Sequence, residues 1–138
     1  MVFCLKQQLR CSCLIAVNIK YYLRGEHALK IEGIPYINVD WNSIPEEIHK
    51  GETGAAKWRT FESGNIRARV VEYSPGYRAD HWCSRGHVLF VLEGSLVSEL
   101  KDGSNRVLSA GEGYVASDDE ANPHRSHTET GAKLFIVD

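Results

Sequence analysis

The sequence predicts an all-β protein, a sandwich or a barrel, and three observations carry that prediction. From Lys30 onward, short apolar or alternating runs recur at intervals of about ten residues, separated by glycine, proline, aspartate and asparagine. In the second half the turn sequences "LEGSL" and "KDGSN" follow one another, which predicts two hairpins in an antiparallel meander. No stretch between the runs has room for the crossover helices of a parallel sheet.

In chain order, residues 1–29 stand apart. They hold no glycine before Gly25, show no clean periodicity, and carry Cys4, Cys11 and Cys13, three of the four cysteines. They read as an N-terminal extension of one domain spanning 30–138. Three readings of it stay open: a short helix over 7–23, a disordered arm, or translation that starts near Leu29. The domain then has predicted strands over 34–38, 56–61, 65–73, 79–83, 87–92, 95–100, 105–108, 113–116 and 132–137. The single helical turn falls in "IPEEIHKGETG", with Ser43 as N-cap, Pro45 at the first helical position, and Glu46 and Glu47 favouring the helix dipole. "ANPHRSHTETG" reads as a loop leading to the closing strand "AKLFIVD".

Composition narrows the function classes. A formal net charge of -2, with 25% charged residues and no long basic run, gives no footprint for a polyanion, so nucleic acid is not an expected partner. The apolar stretch "CLIAVNI" is far shorter than the roughly 20 residues that span a bilayer, and no small-x-small cleavage site follows it. Neither a membrane anchor nor secretion is expected. Cysteines without a disulfide spacing fit a reducing compartment, the cytoplasm.

The chemistry concentrates in "ADHWCSRGHVLFVLEG", where His81, Cys83 and His87 fall within seven residues. In a strand, residues two apart share a face, so His81 and Cys83 would project together. "SRG" reads as a turn that lets His87 face back toward them from the next strand. Two imidazoles and a thiolate are a borderline-soft donor set, suited to zinc, iron, copper or nickel rather than magnesium or calcium. Asp80 is either an orienting acceptor for a neighbouring histidine or a solvated carboxylate. Without a metal, Cys83 is either a small buried hydrophobe or a thiolate activated by a neighbouring histidine.

These residues resemble the cupins, double-stranded β-helix barrels of the jelly-roll type, and within them the proteins named for a DHCW motif, read here in "DHWC". The first cupin motif runs histidine, any residue, histidine, three residues, glutamate, six residues, glycine. His81, Cys83, His87 and Gly94 stand at those spacings. The second motif is matched by Gly103, Ser109 and Gly111, and then by His124 after a longer loop. The resemblance implies metal ligands at His81, Cys83, His87 and His124. His127 is the alternative fourth ligand; Pro123, which restricts the chain before His124, and the motif favour His124. Cysteine and histidine in place of the second histidine and the glutamate remove the oxygen donor of the family pattern, so no particular reaction carries over.

In "NIRARVVEY", Arg67 and Arg69 share a strand face. They either face inward to hold an anion or, more commonly, face outward in ion pairs. No phosphate loop or nucleophile elbow is present. The expectation is a single-domain cupin with one transition-metal ion, zinc or iron before copper or nickel, acting on or binding a small organic molecule. The competing expectation is a metal-free ligand-binding or sensing barrel. The resemblance also implies a homodimer.

Overall fold

The computed structural model describes residues 30–138. The expected extension over 1–29, its helix over 7–23 and the start near Leu29 lie outside the described residues. Eight strands form: β1 (Glu47–Lys50), β2 (Ala55–Ser63), β3 (Ile66–Tyr73), β4 (His87–Leu100), β5 (Asn105–Ser109), β6 (Gly113–Ala116), β7 (His124–His127) and β8 (Ala132–Val137). Every pairing between them is antiparallel, and no helix occurs among the described residues.

The path β1-β2-β3-β8-β4-β5 is completed by β6 and β7, both paired to β4. β4 is the seam of the barrel. Its first half pairs with β6 and β8, and its second half with β5 and β7. A register shift between Val91 and Glu93, followed by Gly94 at φ 75°, lets one strand serve both layers. The inward residues change parity there, from His87, Leu89 and Val91 to Leu96 and Ser98, as one extra residue in a ladder requires. Ala56, Val71, Leu89, Val91, Leu96, Leu134 and Ile136 close the core, and Val71, Val91, Leu96 and Leu134 are fully buried.

Several expectations change. "LEGSL" is not a hairpin, because β4 runs straight through it with a register shift between Val91 and Glu93; "KDGSN" is one, with the Gly103 N–H donating to the Leu100 carbonyl at 3.0 Å. Residues 34–38 pair with no strand. The helical turn after Ser43 is replaced by β1, since pairing along Glu47↔Trp58 to Lys50↔Ala55 satisfies the backbone that an isolated helical turn would leave open. The Ser43 N–H instead closes a turn on the Asp40 carbonyl. Residues 79–83 are a loop rather than a strand, held by single bridges at Arg78 and Cys83. Residues 124–127, expected as loop, are β7, because the end of the long β4 offers them a partner.

Candidate metal centre

Three elements meet at one end of the barrel. His87 opens β4, His124 opens β7, and Cys83 lies on the loop between β3 and β4. That loop is sewn to β7: the Cys83 N–H donates to the His124 carbonyl at 2.8 Å, the His124 N–H returns to the Cys83 carbonyl at 2.9 Å, and the Ala79 N–H donates to the Ser126 carbonyl at 2.9 Å. Backbone pairing thus brings Cys83 beside His124, while β4 and β7 bring His87 to the same point. One potential ligand atom from each of Cys83, His87 and His124 lies within 4.8 Å of the others.

Both histidines are buried, at 9% and 7% exposure, and Cys83 is a half-buried free thiol. Their rings are 4.7 Å apart at 76°, with the Nε2 atoms 3.2 Å from each other. Burial, with the neighbouring His124, pushes His87 down to about 4, and burial also lowers His124. Near neutral pH both imidazoles therefore carry lone pairs rather than an added proton. His87 Nδ1 is buried without a hydrogen-bond partner, and its Nε2 lies 2.6 Å from the Tyr114 hydroxyl. Two neutral imidazoles and a thiol converging in a partly desolvated wall fit a borderline-soft cation.

His81 does not join this group. With 79–83 a loop, residues 81 and 83 no longer share a strand face; the His81 ring is 72% exposed and its Nδ1 is 2.6 Å from Asp80 Oδ1. It nevertheless lines the cavity on which Cys83, His87 and His124 open. His127 lies away from the group, its Nδ1 2.9 Å from Glu99 Oε1, in a cluster where Arg78 and Arg125 also pair with Glu99.

The cavity beside the three residues measures about 460 Å³. Its wall includes Trp58, Tyr73, Tyr114 and Ile136 and also Arg67 and Arg69, so the outward reading of these arginines is overturned. Tyr114 and Asp138 are site residues that strand periodicity missed. Tyr114 reaches His87 because β6 pairs it opposite Leu89. Asp138 exchanges two backbone hydrogen bonds with Arg67, which sets its carboxylate against the arginine pair. Two arginines on one inward strand face were the signal that a carboxylate had to be near.

No family model and no curated protein matches the chain. Solved structures do. A predicted oxalate decarboxylase from Thermotoga maritima is 16% identical, with a TM-score of 0.62 over 73% of this chain and 96% of that one. A sugar phosphate isomerase from a cupin superfamily, from Silicibacter pomeroyi, is 17% identical, with a TM-score of 0.57 over 73% and 74%. A cupin-like protein from Thermotoga maritima is 18% identical, with a TM-score of 0.53 over 64% and 76%. At such identities the likeness is one of fold.

Proposed function

The chain has the cupin fold, and we propose that it binds one transition-metal ion through Cys83, His87 and His124 beside a cavity that receives a small organic molecule. The observation that carries this reading is the convergence of the three donors within 4.8 Å. Zinc or iron are the first candidates and copper or nickel follow, because a sulfur and two nitrogens suit all four. Three protein ligands leave a position for water or substrate, as catalytic sites do, whereas a closed set of four would be structural. His81 becomes a fourth ligand only if the 79–86 loop carries its ring inward.

A bound ion would supply Lewis-acid or oxygen-activating chemistry. The chain's own part is to orient and to exclude water. Tyr114, whose phenol burial keeps protonated, packs its ring against those of His87 and His124, at 5.4 and 5.5 Å, and would hold both in place. Trp58, Tyr73 and Ile136 give the organic ligand apolar walls. The ligand Cys83 requires a reduced thiol, which supports the cytoplasm as its compartment.

The test is metal analysis by inductively coupled plasma mass spectrometry on tag-free protein. About one ion per chain, lost in His87→Ala and Cys83→Ala, is the expected result. A chain that takes up no metal after reconstitution under reducing conditions would overturn the reading and leave the metal-free sensing barrel.

A further inference from the structure

Metal binding leaves one polar layer of the cavity wall unused. Arg67 Nε donates to Asp138 Oδ1 at 2.8 Å, and Asp138 Oδ2 accepts from Arg67 Nη2 and, at 2.9 Å, from Arg69 Nη2. Two guanidiniums therefore share one carboxylate. The Arg69 side chain is only 8% exposed, its guanidinium lies 4.7 Å over the Trp58 ring, and its Nε is buried with no partner. A buried cation with an unmatched charge and an open N–H is unfavourable without an acceptor.

The other charged groups on the wall do not cancel that excess. Arg125 is committed to Glu99, at 3.0 and 2.8 Å, and Arg85 adds an exposed guanidinium at the rim. Asp138 supplies the one carboxylate side chain among the lining residues. When a divalent ion is bound, the Cys83 thiol releases its proton and the thiolate offsets only one of the ion's two charges.

We propose that the ligand of this cavity is a small organic carboxylate, anchored on Arg69 and Arg67 with the rest of the molecule toward Cys83, His87 and His124. The inference rests on the cavity reading above and names its substrate class. A carboxylate matches the guanidinium fork in shape, and its negative charge offsets positive charge that the Asp138 side chain leaves unbalanced. The cavity of about 460 Å³ holds a compact molecule.

The experiment is isothermal titration calorimetry of propionate, its neutral amide propionamide, and inorganic phosphate into the full chain, zinc-loaded and after chelation. Propionate should bind, propionamide should not, and phosphate should bind more weakly than propionate. Arg69→Gln should weaken propionate about tenfold or more. Asp138→Asn, which adds an unbalanced charge, should tighten it. Should Arg69→Gln fail to fold, Arg67→Lys and Asp138→Asn carry the same test, with loss expected in the first and gain in the second.

Equal binding of the amide, tighter binding of phosphate, unchanged affinity in Arg69→Gln or weaker binding in Asp138→Asn would each overturn the proposal. Zinc content is measured on the same samples. A chain that holds zinc but binds no propionate overturns this inference alone. One that binds propionate and never zinc upholds it and overturns the metal reading.

Discussion

At the scale of single residues, the site separates side chains that sequence spacing alone treats alike. His81 and His87 flank Cys83 in the chain, yet His87 is buried against His124 while His81 sits exposed on Asp80. Removing His81 should therefore leave metal content near wild type, whereas His87→Ala should abolish it. Parallel metal analysis of the two variants checks this, and equal loss in both would mean that the 79–86 loop closes on the ion. Asp138 supports a second prediction. Burial alone would raise its carboxyl, but the Arg67 hydrogen bond and the charges of Arg69 and Arg67 outweigh burial and hold it below the ordinary carboxylate range. A carboxylate depressed in the folded state contributes stability that is complete above its unfolded value near 4, and that is lost as pH falls through the depressed folded value. Urea unfolding of the wild type should thus show a loss below about pH 4 that Asp138→Asn lacks. An identical acid profile in the two would remove the argument.

At the scale of elements, β4 decides the fold, and it is also where the sequence was hardest to read. The local pattern of "VLFVLEGSLVSEL" is two apolar runs broken by a glycine, which hairpins and bulged strands share. Only the partners separate them, because β8 runs past the break and pairs with both Val91 and Gly94. Gly94 has φ 75°, and a Cβ there would stand 2.3 Å from the Gly131 carbonyl oxygen. Gly94→Ala should therefore destabilise the chain by about 1–3 kcal/mol, measured by denaturant unfolding; a neutral change would mean that β4 and β8 do not meet in this register. The strands from 56 to 73, and β5, β6 and β8, were legible because alternation and turn glycines coincide there. β1 and β7 were not, since four-residue strands such as "EIHK" and "HRSH" carry no apolar period and form only against a neighbour. The same limit explains the site. Cys83, His87 and His124 were legible as residue types at motif spacing, but the separation of His81 depends on the loop conformation at 79–83, which backbone pairing to β7 sets.

At the scale of the whole molecule, the barrel's outer surface carries an apolar row that the other described residues leave exposed. Val88, Phe90 and Leu92 alternate with the inward residues of β4 and are 47%, 43% and 42% exposed. Val115, 78% exposed, stands opposite Val88 across the ladder, so the row widens onto β6. On the other side, Phe135 is opposite Phe90, and Trp41 meets Phe135 edge-on at 5.7 Å, which closes that flank. What remains is a contiguous apolar strip on a sheet face, the kind of surface that soluble monomers seldom leave in water. A second copy of the chain offers the same strip, and a twofold pairing would set Phe90 against its own counterpart region, burying both at once. We expect a homodimer by light scattering coupled to gel filtration, and a shift to monomer in Phe90→Glu, since the substitution places two like charges in the apolar contact. The metal content of Phe90→Glu should not change, because residue 90 points away from the cavity that His87 and Leu89 line. A wild type that stays monomeric at micromolar concentration would remove the dimer, and a variant that loses both dimer and metal would tie the centre to assembly instead.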